Sequence, residues 1–298
     1  GSAGASFTTA AAGRRGSLFK IRTLHVVLMP WPWRRKAKRT LARIAIEGPI
    51  AGPTRKRVLK ALRQIEERQC PALLLRIDSP GGTVGDSQEI HAAITRLRDK
   101  GCRVVASFGN ISASGGVYIG VAAEQIVANA GTITGSIGVI LRGNNLSRLL
   151  ERIGIQFETV KSGLYKDILS PDRALTAAER QLLQELIDAS YGQFVAAVAG
   201  GRKLDEAVVR SFADGRVFTG AQAKDLGLVD QLGDEDAARR LAADLAGLDP
   251  VKTKPVTFGK APKRFGGLLP GRALLRRLSE SLAAELAWSG QPLWLYRP

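Results

Sequence analysis

At 298 residues, 45% apolar and 24% charged, the chain has ordinary globular composition and room for one large domain or two small ones. Its net charge of +17 is carried by the ends: residues 1–60 hold 14 Lys/Arg against one acid and residues 251–298 hold 9 against two, while residues 61–250 hold 21 against 24 acids. That distribution argues against a folded nucleic-acid-binding domain, whose bases would lie on the fold itself, and suits ends that meet an anionic surface such as a membrane or a nucleic acid.

No apolar run approaches the ~20 residues of a spanning helix, and no convincing secretory signal precedes the basic cluster "RRKAKR". Cys70 and Cys102 form no CxxC pattern and read as packing positions in a reducing compartment, so a cytoplasmic location is expected. Aromatic residues are few, so the core must be mostly Ala, Val, Ile and Leu. The only methionine, Met29, is the expected natural start, and residues 1–40 read as a basic N-terminal extension.

In chain order, "ARIAIEGPIAG" (42–52) alternates and ends in turn residues, predicting a first strand. Val58, Leu59, Leu62 and Ile65 lie at helical spacing. "ALLLRIDSPGG" (72–82) predicts a buried strand running into a Pro-Gly-Gly turn. Residues 85–101 predict a helix capped by Asp86 or Ser87, and "CRVVASFG" the next strand. A short helix to Ala123, the strand "EQIVANA", a helix over 145–153 and the strand "IQFETVKSG" (155–163) follow. Thr176 and Glu179 form a capping box that opens a long helix over 176–199. Shorter helices are predicted near 204–212, 219–226 and 234–246. Alternating strands and helices predict an α/β fold with mostly parallel strands over residues 41–247. Residues 248–298 read as a Lys/Pro/Gly-rich linker and an amphipathic helix built on Leu274, Leu275, Leu278, Leu282 and Leu286.

Two turns carry chemistry. In "IDSPGG", Gly81 and Gly82 stand at the C-terminal edge of a strand, where ligands gather in α/β sheets. Their backbone amides can approach a ligand closely and hold an oxyanion; a plain tight turn has the same composition. In "SASGG", Ser114 opens a helix, where free amides and the helix dipole favour an alkoxide; an ordinary N-cap has the same pattern. A nucleophilic Ser114 needs a base. The chain has two histidines, His25 and His91. His25 precedes the expected start, and His91 lies mid-helix beside Ile90 and Ile94, so a Ser-His-Asp triad is disfavoured. A desolvated lysine can do the same work, and "KSGLYKDILSPDR" supplies Lys161 and Lys166.

"DSPGG", "SASGGVYI", "GTITGSIGV" and "SGLYKDILSP" occur here in the order and spacing of the signal peptide peptidase A / protease IV family of Ser-Lys peptidases, which residues 41–247 resemble. The resemblance implies a Clp/crotonase-like ββα-superhelix fold, Ser114 as nucleophile, Lys166 rather than Lys161 as general base, and Ser136 hydrogen-bonded to that lysine. It implies an oxyanion hole of backbone amides at Gly81, Gly82 and Gly115, and no metal or other cofactor. It also implies short hydrophobic peptides, such as cleaved signal peptides, as substrates, and a homo-oligomeric ring whose sites are shared between protomers. Asp167 would oppose a neutral Lys166 unless the two side chains point apart, as neighbours on a strand do. A crotonase-type acyl-CoA enzyme would use the same glycines but want a Glu or Asp pair; a non-catalytic ring scaffold would not need Ser114, Ser136 and Lys166 intact. At the ends, Trp31, Trp33, Trp288, Trp294 and Tyr296 beside basic residues suit peripheral membrane contact. The alternative is that the C-terminal leucines dock on a neighbouring protomer.

Overall fold

The computed structural model of the protein describes residues 39–260 and 292–296. The expected N-terminal start, its basic cluster and the amphipathic helix over 274–286 lie outside those residues. The described chain runs β1 (Leu41–Glu47), α1 (Gly52–Glu67), β2 (Ala72–Ser79), β3 (Gly81–Thr83), α2 (Val84–Asp99), β4 (Arg103–Ala113), α3 (Gly115–Gly120), β5 (Gln125–Ala128) and β6 (Ile133–Gly135). It continues through α4 (Ser147–Arg152), α5 (Ala177–Arg202), α6 (Glu206–Phe212), β7 (Val217–Thr219), α7 (Gly220–Asp225), β8 (Gln231–Leu232), α8 (Glu235–Leu245), β9 (Val256–Thr257) and β10 (Leu293–Leu295).

The α/β class expected from the strand–helix alternation is what the structure shows. The main sheet has the order β7-β6-β4-β2-β1-β9, with β5 pairing β4 and β8; its pairs are parallel except β6 with β7. Its central strands are buried on both faces, so they read as continuous apolar runs. Ala42, Ile44, Ile46, Leu73, Leu75, Ile77, Val104, Ala106 and Phe108 face the larger core. The alternate positions Leu41, Ala72, Leu74 and Val105 face a smaller layer with Ala238 and Ala242 of α8. Glu235, in the first turn of α8, pairs with Arg43 at 2.6 Å and Arg76 at 3.7 Å, which lets two arginines stand on a mostly apolar sheet face.

One irregularity sets the site. Strand β4 pairs β2 in register up to Ile77↔Phe108, then slips so that Ser79 faces Ser112. The bulged residues are held by Asp78, whose Oδ1 accepts from the Ile111 amide at 3.1 Å. Before the bulge β4 pairs β5; after it, β4 pairs β6. The end of β4 is thereby set beside the end of β6.

Several sequence expectations change. Helix α2 begins at Val84, not after Asp86, because Thr83, the last residue of β3, occupies the cap position; Thr83 Oγ1 donates to Asp86 at 2.6 Å and Ser87 Oγ donates back to the Thr83 carbonyl at 2.9 Å. Residues 155–163 form no strand: the alternation is there, but no described residue pairs with it, and Phe157 and Val160 are exposed. The stretch after Gly247 does not stand away from the domain; β9 extends the sheet on β1, and Phe258 is buried. Trp294 is no interfacial anchor but lies wholly inside the core. The capping box of α5 forms as expected, with Glu179 and Thr176 exchanging bonds. Both cysteines are buried free thiols, and burial pushes Cys102 up to about 12. Among the described residues no helix is long and apolar enough to cross a membrane.

Candidate active site

Ser114 sits at the junction of β4 and α3 with φ 53° and ψ −116°, and its hydroxyl makes no capping bond. The N-cap reading therefore fails; a cap residue takes extended backbone and turns its oxygen onto the helix amides. A positive φ on a serine is strained. What holds it is the ladder on either side: the Ser114 amide donates to the Gly135 carbonyl at 2.8 Å, and the Ser114 carbonyl accepts from the Tyr118 amide at 3.0 Å. This is the geometry of a sharp strand-to-helix turn that projects a nucleophile. Among the described residues the Ser114 hydroxyl has no hydrogen-bond partner.

Ser136 is its neighbour. The pairs Ser112↔Thr134 and Ala113↔Gly135 carry the register forward to place Ser136 beside Ser114. Ser136 is nearly buried, also holds a positive φ of 51°, and is anchored by its amide to the Arg216 carbonyl at 2.7 Å. Two serines thus stand together at the C-terminal ends of adjacent parallel strands, the edge where α/β sheets place their sites.

The glycine turn lies across from them. A Cβ on Gly115 would fall 2.8 Å from Ser87 Oγ and 3.2 Å from the Gly82 amide nitrogen, so the Gly82 and Gly115 amides are close together. The Gly81 amide instead donates to Ser79 Oγ at 3.1 Å. Gly81 serves through its conformation, φ 101°, rather than as a free donor. Gly82 is confined by packing: a Cβ there would collide with the Ile50 carbonyl. Asp78 is committed to the β4 bulge.

The lysines part company. Lys161 is bound to Asp167 at 2.6 Å and to the Leu164 carbonyl at 3.2 Å. Asp167 also meets Arg173 at 2.9 Å, and Arg173 reaches Glu179 at 2.5 Å. Arg173 first, then Lys161, hold the Asp167 carboxyl well below the usual carboxylate range. Asp167 is therefore occupied by cations other than Lys166, so the concern that it clamps its neighbour is answered by this network and not by strand alternation. Lys166 is exposed, in a run of turns closed by bonds such as Lys166 amide to Gly163 carbonyl at 3.2 Å. Among the described residues its side chain has no ion-pair partner, and within one chain it makes no hydrogen bond to Ser114 or Ser136. His91 is half-buried on α2, 4.9 Å from the Tyr118 ring, where burial and then Arg98 pull its pKa down to about 4.

A set of exposed apolar side chains is a feature the sequence did not announce. Phe157, Val160, Leu164 and Tyr165, with Leu182 and Leu186 of α5, are all exposed. Their alternating and helical spacing reads equally well as core, and only the fold shows that no described residue covers them.

A hydroxyl held on a strained turn beside the Gly82 and Gly115 backbone amides is the constellation of a serine-type peptidase. The comparisons agree. The profile of "Peptidase family S49" matches residues 96–249. "Putative protease slr0021" of Synechocystis sp. is 56% identical over 278 residues, covering 90% of this chain and 100% of that protein. "Putative signal peptide peptidase SppA" of Enterococcus faecium is 41% identical over 212 residues, 70% of this chain and 62% of that one. The chain belongs to peptidase family S49. Among solved structures, a ClpP1 mutant from Listeria monocytogenes aligns with TM-score 0.47 and 18% identity, over 69% of this chain and 97% of that one.

Proposed function

We propose that the chain is a serine endopeptidase in which Ser114 attacks the peptide carbonyl, Lys166 accepts its proton, Ser136 orients the lysine amine, and the Gly82 and Gly115 amides hold the oxyanion. Short apolar peptides, such as cleaved signal peptides, are its substrates. Lys166 then protonates the leaving amine, and water hydrolyses the acyl-enzyme. The observation that carries this reading is the Ser114 backbone, strained at φ 53° with an unpartnered hydroxyl beside two amides.

Lys166 acts on Ser114 of a neighbouring copy. Support comes from its exposure and from the exposed apolar residues of the same segment, Phe157, Val160, Leu164 and Tyr165. Burying that segment against a second copy would remove water from the amine, which favours the uncharged form that a base requires. Neither Ser114→Ala nor Lys166→Ala protein should turn over a fluorogenic apolar peptide. Mixing the two under conditions that exchange subunits should restore a fraction of wild-type activity, because some sites then combine an intact serine with an intact lysine. Near wild-type activity of Lys166→Ala alone rules out the base. Inactive single variants that stay inactive when mixed rule out sharing.

A further inference from the structure

Strand β10 lies where a bound peptide would lie. One of its edges pairs antiparallel with the glycine turn, in the register Leu293↔Thr83, Trp294↔Gly82 and Leu295↔Gly81. Its other edge pairs with Ile140, four residues beyond Ser136: the Ile140 amide donates to the Leu293 carbonyl at 3.1 Å, and the Leu293 amide donates to the Ile140 carbonyl at 2.9 Å. The two segments flanking the paired serines thus present two strand edges, and an extended piece of chain fills the gap between them. Strand addition of this kind is a general mode of peptide recognition.

The register puts one particular carbonyl at the oxyanion amides. The Val84 amide donates to the Pro292 carbonyl at 3.5 Å, and the Tyr296 amide donates to the Pro80 carbonyl at 2.6 Å. In an antiparallel ladder hydrogen-bonded pairs alternate with non-bonded ones. The Gly82–Trp294 pair between these two is therefore of the bonded kind, and it aims the Gly82 amide at the Trp294 carbonyl. A Cβ on Gly115 would lie 3.1 Å from that same oxygen; one on Gly81 would strike it while lying 2.7 Å from the Gly115 nitrogen. The Trp294 carbonyl thus lies between the amides that adjoin Ser114.

The side chain completes the picture. Trp294 is fully buried, with its rings 4.0 Å from Tyr118 and 4.7 Å from Phe194. Its indole N–H is buried without a partner. A tryptophan kept for architecture usually bonds that group. A pocket that leaves it unbonded is one that accepts apolar bulk and does not read a polar tip.

We propose that β10 is a substrate strand supplied by the chain itself, that Tyr118 and Phe194 form the pocket for the residue before the scissile bond, and that Ser114 cleaves the Trp294–Leu295 bond. This rests on Ser114 being the nucleophile. Ser114 Oγ bonds to the Trp294 carbonyl carbon and gives its proton to the base. The carbon–nitrogen bond to Leu295 breaks, and the proton passes to the Leu295 nitrogen. Water then hydrolyses the ester, leaving a carboxylate on Trp294 and the Ser114 hydroxyl restored.

Intact-mass spectrometry of the purified full chain, incubated with and without an added fluorogenic apolar peptide, tests this. The wild type should shorten to a chain ending at Trp294, and Ser114→Ala should keep its full length. In a peptide series, Trp, Phe or Leu before the scissile bond should be cleaved at least tenfold faster than Asp or Lys there. A wild type that cleaves added peptide yet stays full length overturns self-cleavage and leaves the Ser114 reading standing; one that does neither overturns both. Shortening at another bond overturns the register, and indifference to the residue before the bond overturns the pocket.

Discussion

Ser114 offers a measurement in which backbone strain can be separated from chemistry. Its φ of 53° and ψ of −116° lie where a side chain is penalised, by about 1–3 kcal/mol for a residue held in a sparsely populated region. Ser114→Ala removes the hydroxyl but keeps the Cβ, so the strain remains. Ser114→Gly removes both, and glycine's extra freedom in the unfolded chain takes back about 0.5–1 kcal/mol. The hydroxyl has no hydrogen bond to lose in either variant. Ser114→Gly should therefore be the more stable of the two by about 1 kcal/mol, which for a domain of this size is about 2–4 °C in Tm. Both variants lack the hydroxyl proposed as nucleophile, so neither should turn over peptide or trim β10, and the comparison reads the backbone alone. Urea and thermal unfolding followed by circular dichroism would measure it. An alanine variant as stable as the glycine variant, or more so, refutes the claim that the fold forces Ser114 into this conformation against its preference.

The two lysines should separate by function. Lys166→Ala should lower kcat/KM for peptide cleavage at least about 10²-fold, the scale of a lost general base, whereas Lys161→Ala should stay within about tenfold of wild type, since its amine is held by Asp167; equal effects would show that either lysine serves. The Arg173 cluster should give acid sensitivity. Arg173 first, then the Thr176 amide, lowers the Glu179 carboxyl from 4.5 to about 2. A depressed carboxylate stabilises the fold above its unfolded pKa, and that contribution is lost as pH falls from about 4.5 towards 2. Urea midpoints measured across that window should fall steeply for the wild type and more gently for Arg173→Met, and parallel curves would show that the cluster does not couple to folding.

Much of the candidate site's local backbone could be read from residues because its signals are local. "IDSPGG" and "SASGG" are strand-to-turn transitions, and the turn glycines are demanded by close backbone approach, as the collision of a Gly82 Cβ with Ile50 shows. The α5 capping box needs four consecutive residues and was legible for the same reason. What escaped depends on distant partners. β10 is three residues long and pairs with β3 more than two hundred positions earlier, so nothing near Trp294 distinguishes a buried tryptophan from a membrane anchor. Residues 155–163 failed in the opposite sense: their alternation is genuine, but a strand exists only where another edge meets it. Gly81 was grouped with the amide donors because composition cannot say which of two adjacent N–H groups turns inward; Ser79 decides that.

Helix α5 has two differently supported ends. Phe194, Val195 and Val198 seat its later turns in the core, while Leu182 and Leu186 near its start are bare and Glu179 there grips Arg173. The lysine-bearing turns are thus carried on an arm, whereas Ser114 is fixed to the sheet. The arm's 26 residues span about 39 Å, and a tilt of about 3° over its unsupported half moves the tip by about 1 Å, roughly twice the ~0.5 Å tolerance of a working constellation. Whatever steadies that tip tunes the enzyme, and contact with another copy there would act as an alignment jig as well as a seal.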